Sequence, residues 1–208
     1  RVLSKRYMNE RLRCDKIPAI FYGMEPRRQD DYSQFEQRKQ DHITLALLPA
    51  NQATEHNVFD DFELLHDALP DLDFDDITLA SRRFNQTVLK PFLVSSMTAG
   101  HKDAGSINRN LIAACAQSGW AMGVGSQRRE LSDDSAALEW QALRRDFPKV
   151  TLFSNLGIAQ LLDSSMAQIQ RLTDSLNAEA LIIDCNPLQE VIQPEGTPQF
   201  KGCWQALA

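Results

Sequence analysis

Apolar and polar positions from residue 91 onward follow a pattern typical of repeated strand–helix units. Short apolar runs of strand length begin at residues 91, 119, 150 and 179, at spacings of 28, 31 and 29 residues. The stretches between them carry apolar residues at helical spacing. Regular units of this length indicate a parallel sheet with helical crossovers. The pattern therefore predicts four βα units.

Each predicted helix has one apolar stripe, and Ser164 or Ser165 is the expected N-cap of the third helix. The stripes consist of Ile107, Leu111, Ala114 and Cys115 in the first helix, of Ala136, Trp140, Leu143 and Phe147 in the second, and of Met166, Ile169, Leu172 and Leu176 in the third.

The chain before residue 91 lacks this repeat. Residues 1–37 contain clusters of like charge, which are typical of a solvated, partly flexible arm. Phe59–Leu69 has helical spacing that Pro70 ends, so a helix is expected there. Residues 77–89 carry two short apolar runs around the polar segment SRRFNQ, and they predict a β-hairpin before the main sheet.

Two architectures fit these units, a (β/α)₈ barrel and an open doubly wound sheet. Gly123 and Gly125 suggest a dinucleotide-binding GxGxxG turn, but Arg128 stands where the last glycine belongs. A preceding hairpin can close the bottom of a barrel, and a long loop after the fourth strand suits its mouth. We therefore expect an α/β fold of the TIM-barrel type, with about four of its eight βα units in residues 38–208 and an N-terminal arm at 1–37.

Composition excludes several classes of protein. A net charge of −6 argues against a nucleic-acid binder, which normally has a basic face. The sequence has no apolar run near the ~20 residues that span a bilayer, so no membrane partner is expected. Its 4 cysteines form no CxxC pair, which favours a reducing, cytoplasmic environment over a disulfide framework or a zinc site.

Polar clusters follow all four predicted strands: SSMTAG at 95–100, GSQR at 125–128, SNLG at 154–157 and CNPLQE at 185–190. Right-handed crossovers bring the ends of parallel strands to one side of the sheet. Ligands of such folds bind at that side, where the loops vary above a rigid sheet. We therefore expect one common ligand site.

The last of these clusters opens the long polar stretch 184–202. Gln189 and Glu190 are an adjacent amide and carboxylate that could hold a substrate and a hard cation. Far earlier in the chain, Arg38 and Lys39 could clamp a diphosphate, Arg38 through its fork and Lys39 as a point charge. On spacing alone, these two basic residues also fit an ordinary surface charge pair.

Five ordered motifs resemble the FMN-dependent type 2 isopentenyl-diphosphate isomerases. They are RKQDHI (38–43), SSMTAG (95–100), GVGSQR (123–128), SNLG (154–157) and NPLQExxxPEGxxxFKG (186–202), and the last is the most specific. The family's reaction converts isopentenyl diphosphate to dimethylallyl diphosphate by adding one proton and removing another. The resemblance implies FMN, NADPH that keeps the flavin reduced, Mg²⁺ and a homo-oligomer.

The resemblance also implies a role for each motif residue. Gln189 would be the catalytic residue over the isoprenoid carbons, and Glu190 would bind the Mg²⁺ that bridges to the diphosphate. The substrate would contact Arg38, Lys39, Ser126, Gln127, Arg128 and Gln189, and the flavin would contact Met97, Thr98, Ala99, Ser126 and Asn155.

Two other functions also fit the sequence. One is a different FMN-dependent barrel enzyme, such as a hydroxy-acid oxidase, although the adjacent Arg38 and Lys39 and the NPLQE run count against it. The other is an inactive half-barrel fragment without a flavin phosphate site, which would be colourless and would self-associate through an open sheet edge.

Overall fold

Five strands form the main sheet in the computed structural model, which describes residues 2–4, 32–52, 54, 57–83, 86–100, 103–193 and 196–207. The strands are β1 (Val2–Ser4), β4 (Leu93–Val94), β5 (Ala121–Gly123), β6 (Leu152–Gly157) and β7 (Ala180–Asp184), and two shorter ones, β2 (Ser81–Arg83) and β3 (Gln86–Val88), form a separate hairpin. Short apolar runs form most strands of the main sheet, and β6 extends beyond its apolar start through Ser154 and Asn155.

The spatial order of the main sheet is β1-β7-β6-β5-β4. Strands β4 to β7 are parallel neighbours in sequence order, with Phe153 opposite Ala180 and Asn155 opposite Ile182. This arrangement confirms the four predicted βα units. It also confirms that the four polar clusters follow strands whose carboxyl ends lie along one edge.

The prediction of a TIM barrel is wrong. Strand β1 pairs antiparallel with β7, so it occupies the position where a barrel would continue with another parallel strand. The described strands thus form an open mixed sheet beside a two-stranded hairpin. A doubly wound sheet does not fit either, because that fold reverses its strand order and β4 to β7 run without reversal. Repeat spacing is the same for all of these folds and cannot distinguish them.

Seven α-helices are described. Ser165 caps the fifth as predicted, since its Oγ accepts from the backbone N–H of Gln168 and the Gln168 side chain accepts from the backbone N–H of Ser165. The helices are α1 (Tyr32–Leu47), α2 (Ala104–Ser118), α3 (Ala137–Asp146), α4 (Ile158–Leu162), α5 (Met166–Ser175), α6 (Pro187–Ile192) and α7 (Cys203–Leu207). Within the described part of the chain, no helix combines the length and apolar character that a membrane crossing requires.

Helices α2, α3 and α5 cover one face of the sheet. Apolar side chains of α2 and α3 pack with strand residues such as Met122 and Leu152 in one cluster, and those of α5 pack with Leu156 and Leu181 in a second cluster. The stripe predicted for α3 is confirmed by buried Trp140 and Leu143. The stripe of α2 is displaced, because the buried residues are Ala104, Asn108, Ile112 and Cys115.

The other face of the sheet is lined by strand side chains. Phe153, Ala121 and Ala180 form a separate buried cluster there, with Ile182 packed against it. Side chains alternate along a strand, so Asn155 lies on this face as well. This second face continues towards the carboxyl edge, where the polar loops lie.

The region before β4 differs most from its prediction. The helix expected at Phe59–Leu69 is absent: a short 3₁₀ helix covers Val58–Asp61, and the chain from there to residue 73 contains no helix or strand. Its apolar side chains, such as Leu64 and Leu65, are exposed and have no core to pack against. The predicted hairpin exists as β2 and β3, but its first strand is displaced: Ser81–Arg83 lies in the polar segment expected to be the turn, and the apolar run at 77–80 is not a strand. The arm predicted for residues 1–37 lies largely outside the described residues, and α1 crosses its expected boundary.

Candidate functional site

Helix α1 meets α6 at the carboxyl edge of the sheet. Arg38 Nη2 on α1 lies 3.2 Å from Glu190 Oε1 on α6, although the two residues are 152 positions apart in the chain. Their side chains are only 9% and 13% exposed. An ion pair so far removed from water is screened much less than a surface pair. Arg38 is therefore a largely buried member of this polar cluster and not a surface charge.

Two further donors hold the Glu190 carboxylate. Asn186 Nδ2 donates to Oε1 at 3.3 Å, and the backbone N–H of Thr197 donates to Oε2 at 2.8 Å. The loop approaches this closely because residue 196 is glycine: a Cβ on Gly196 would overlap the Glu190 backbone carbonyl. Pro187 at the start of α6 places Gln189 and Glu190 in its first two turns.

The amide of Gln189 is also surrounded by side chains. Its Oε1 accepts from Asn186 Nδ2 at 3.0 Å, and its Nε2 donates to Gln193 Oε1 at 3.2 Å. Gln189 Nε2 also lies 3.4 Å from His42 Nε2, and Gln193 Nε2 lies 3.3 Å from the same ring nitrogen. Helix α1 thus contacts the predicted catalytic residue through His42.

Lys39 lies beside this cluster in a cleft. Burial lowers the pKa of its ammonium, the neighbouring Arg38 guanidinium lowers it further, and the carboxylates of Asp184 and Glu190 act in the opposite direction. The cleft is lined by Lys39, His42 and Ile43 from α1 and by Met97, Thr98 and Ala99 from the loop after β4. Arg38 and Lys39 thus add positive charge next to a cleft that is partly apolar.

The loop after β4 is held in place by hydrogen bonds to α2. Thr98 Oγ1 donates to Asn108 Oδ1 at 2.6 Å, and Asn108 Nδ2 donates to the Thr98 carbonyl at 3.2 Å. A Cβ on Gly125 would overlap that carbonyl, so the loop after β5 packs directly against this one. Thr98 and Ala99 are buried, and Met97 is exposed.

The loop after β5 brings only part of its motif towards the edge. Ser126 and Arg128 are half-buried there. Gln127 is 1% exposed. Its Nε2 donates to Glu130 Oε2 at 3.0 Å and to the Leu172 carbonyl of α5 at 3.3 Å, on the helix-covered side of the sheet. Gln127 therefore braces β6 and α5 and does not lie with Lys39 and Gln189.

Asn155 near the end of β6 is buried without polar partners. The side chain is 0% exposed, and neither its Oδ1 nor its Nδ2 has a hydrogen-bond partner. Ser96 Oγ in the loop after β4 is also buried and has no hydrogen-bond partner. Buried polar groups are normally paired, so such atoms point to a ligand that pairs with them.

The structure therefore joins most of the predicted site at one edge. Sequence reasoning included Asn186 and His42 in the polar motifs but assigned them no role, and it missed Gln193. His42 lies one helical turn after Arg38, and Gln193 lies four residues after Gln189, so helical spacing was the available signal. The described residues contain no group of three or more His, Cys, Asp or Glu side chains that could hold a metal ion alone.

Comparison with known proteins identifies similar chains. No family model matches this chain. The structure defines an α/β protein with a polar cluster at the carboxyl edge of a parallel sheet. The similar proteins are isopentenyl-diphosphate delta-isomerases: that of Legionella pneumophila (strain Lens) is 68% identical over 179 residues, which are 86% of this chain and 52% of the relative. That of Bdellovibrio bacteriovorus is 47% identical over 84% of this chain and 52% of the relative.

A more distant isomerase, from Halobacterium salinarum, is 37% identical over 85% of this chain and 49% of its own length. The chain thus spans about half the length of the curated relatives it matches. These names correct the expected assignment to the FMN-dependent type 2 class, because they state isopentenyl-diphosphate delta-isomerase without a type. The names of these relatives leave the type of isomerase unspecified.

Proposed function

We propose that this chain carries the diphosphate- and alkene-binding part of an enzyme that isomerises isopentenyl diphosphate to dimethylallyl diphosphate in isoprenoid biosynthesis. One observation carries the proposal: α1 and α6, about 150 residues apart, bring Arg38, Lys39, Gln189 and Glu190 into one cluster. The similarity to isomerases at 68% identity supports the same reaction.

The diphosphate would bind at the basic end of the cluster. Arg38 can form two parallel hydrogen bonds to phosphate oxygens, and Lys39 can add a point charge. Lys39 is half-buried, and burial lowers the pKa of its ammonium. A bound anion would act in the opposite direction and favour the charged form of Lys39, so the site would favour an anionic ligand.

The hydrocarbon end would lie in the cleft between α1 and the loop after β4. Ile43, Met97 and Ala99 supply apolar surface there. Gln189 would orient a proton transfer to or from the alkene carbons. Because its amide is neutral, it introduces no charged nucleophile that would trap a cation-like centre. Exclusion of water from the cleft would protect this centre in the same way.

FMN is the proposed cofactor, with NADPH as its reductant. The buried amide of Asn155, which has no hydrogen-bond partner, supports a polar ligand at this edge. A Cβ on Gly123 would overlap Ser96 Oγ, so only glycine fits at this position beside the Ser96 side chain. Met97, Thr98, Ala99, Ser126 and Asn155 would hold the flavin. When bound, reduced FMN supplies an electron-rich ring, and the protein positions it.

Magnesium is proposed as an ion that arrives with the diphosphate. Glu190 is the carboxylate that would hold it, and Mg²⁺ commonly binds through one or two carboxylates together with substrate phosphates. The absence of a three-ligand cluster among the described side chains agrees with an ion that depends on phosphate oxygens. Assembly into a homo-oligomer belongs to the same proposal and follows from the sequence resemblance alone.

The experiment is an isomerisation assay on the product of the complete reading frame. Isopentenyl diphosphate is supplied in D₂O with FMN, NADPH and Mg²⁺, and NMR detects dimethylallyl diphosphate and its deuterium. We expect turnover that Gln189→Ala and Glu190→Ala each lower by about 100-fold or more. Exposed Gln205→Ala and Glu63→Ala are the matched controls and should keep full activity. No product with the unsubstituted protein, or unchanged activity in both site variants, would refute the proposal.

A further inference from the structure

The amide of Gln189 has one orientation, and its neighbours determine it. Asn186 Nδ2 donates to Glu190 Oε1, which as a carboxylate oxygen facing Arg38 can only accept. The same Nδ2 lies 3.0 Å from Gln189, so the Gln189 atom facing it must be the carbonyl oxygen Oε1. The Gln189 nitrogen Nε2 therefore faces His42 and Gln193.

This orientation propagates to Gln193 and to the imidazole. Gln193 Oε1 accepts from Gln189 Nε2 at 3.2 Å, so its own Nε2 is the atom 3.3 Å from His42 Nε2. Two amide nitrogens then point at one ring nitrogen, with Gln189 Nε2 at 3.4 Å. Only an unprotonated ring nitrogen can accept from them, so His42 carries its proton on Nδ1.

We propose that Gln193 and His42 are positioning residues that together fix the amide of Gln189 towards the bound alkene. The three side chains contact one another: His42 belongs to α1, Gln189 to α6, and Gln193 directly follows α6. Gln193 reaches this position because its backbone N–H bonds to the Gln189 carbonyl at 3.0 Å and places it one turn further on the same side. The inference rests on the proposed function in taking Gln189 to face the substrate.

Loss of either positioning residue leaves the Gln189 amide held by Asn186 and the one remaining neighbour, so its orientation is less tightly fixed. Without Gln193, Gln189 Nε2 loses its closest hydrogen-bond acceptor. Without His42, the side-chain nitrogens of Gln189 and Gln193 lose the ring nitrogen that accepts from both. A misoriented amide would still allow the diphosphate to bind through Arg38 and Lys39. The expected effect is therefore on the chemical step rather than on substrate affinity.

The kinetic test uses Gln193→Ala, Gln189→Ala and the double variant. One lost hydrogen bond is expected to lower kcat by about tenfold while KM stays within about threefold. In the Gln189→Ala background, Gln193→Ala should have no further effect, because its role acts through Gln189. Gln205→Ala is the control. Independent losses that multiply in the double variant, or a loss confined to KM, would overturn the inference.

A second measurement does not require turnover. Two-bond ¹H–¹⁵N NMR correlations of the His42 ring report which nitrogen carries the proton. We expect the Nδ1–H form in the unsubstituted protein and an increased share of the Nε2–H form in Gln193→Ala. A dominant Nε2–H form in the unsubstituted protein would overturn the inference even if isomerase activity is present. Absent activity with the expected tautomer would instead refute only the proposed function.

Discussion

Arg38 and Glu190 form a largely buried ion pair in which Nη2 and Oε1 are 3.2 Å apart. The contact joins α1 to α6, the short helix that follows β7. Removal of one partner from a buried pair leaves an uncompensated charge, which is the costly case. The pair therefore contributes to holding α1 on the sheet and keeps both groups near the proposed diphosphate site.

The first prediction concerns the stability contributed by this pair. Arg38→Met leaves the Glu190 carboxylate buried without its guanidinium partner, and we expect it to lower the free energy of unfolding by about 3 kcal/mol. The double variant Arg38→Met/Glu190→Gln should recover a large part of that loss, because a neutral amide then replaces the buried carboxylate. Urea unfolding measures both. Exposed Arg145→Met is the control, and equal losses in the single and double variants would contradict a paired role.

The second prediction is a pH dependence of diphosphate binding at Lys39. Burial and Arg38 hold the pKa of Lys39 below its usual 10.5 in the free protein, and a bound anion raises that pKa. Binding then requires a proton wherever Lys39 is neutral, so affinity falls as pH rises through its free-state pKa. Calorimetry with inorganic diphosphate in buffers of different ionisation enthalpy should show proton uptake on the alkaline side.

In Lys39→Met, this alkaline proton uptake should disappear along with much of the affinity. Exposed Lys149→Met should bind like the unsubstituted protein. A proton uptake that persists in Lys39→Met would assign the titration to another group.

The third prediction concerns Glu130, which is buried on the helix-covered side. Burial raises the pKa of its carboxyl to about 7, and the hydrogen bond from Gln127 acts in the opposite direction. The folded protein then binds a proton that the unfolded chain has released, between the usual 4.5 and about 7. Stability therefore decreases as pH rises through this window and is constant above it.

Glu130→Gln keeps an acceptor for Gln127 and removes the charge. We expect the variant to be more stable than the unsubstituted protein at pH 8, by up to about 3 kcal/mol, and nearly equal near pH 4.5. Urea unfolding at both pH values provides the test, with exposed Glu63→Gln as the control. A constant difference across pH would show that Glu130 does not titrate in this window.

The sequence was sufficient for the parallel units and for the placement of the polar clusters. Strand runs and helix stripes such as Trp140 and Leu143 follow from burial alone, and polar residues at successive strand ends lie along one edge of the sheet. Closure of the sheet could not be predicted, since spacing does not show that β1 pairs antiparallel with β7. Helical spacing at Phe59–Leu69 failed because nothing in the described structure buries that stripe.

The details missed within the site depend on long-range contacts. Gln127 was expected to contact substrate because it lies in a motif, but its side chain binds Glu130 and the backbone of α5. Asn108 does not belong to the apolar stripe predicted for α2, yet it is buried there and its hydrogen bonds to Thr98 satisfy its side chain. A one-dimensional pattern cannot show which buried amide will find partners.

The last prediction compares two buried asparagines with opposite expected outcomes. Asn155 and Asn108 are both 0% exposed. Asn108 is hydrogen-bonded to Thr98, whereas the amide atoms of Asn155 have no partner. A buried polar group without a partner costs about 1–3 kcal/mol, so Asn155→Leu should stabilise the ligand-free protein by about 1 kcal/mol or more. Asn108→Leu should destabilise it by a similar amount, because the Thr98 hydroxyl loses its acceptor.

If Asn155 is kept polar for a flavin, Asn155→Leu should also weaken FMN binding by about tenfold or more, measured by flavin fluorescence quenching. Destabilisation by Asn155→Leu, or unchanged FMN affinity, would remove the structural support for a flavin at this edge.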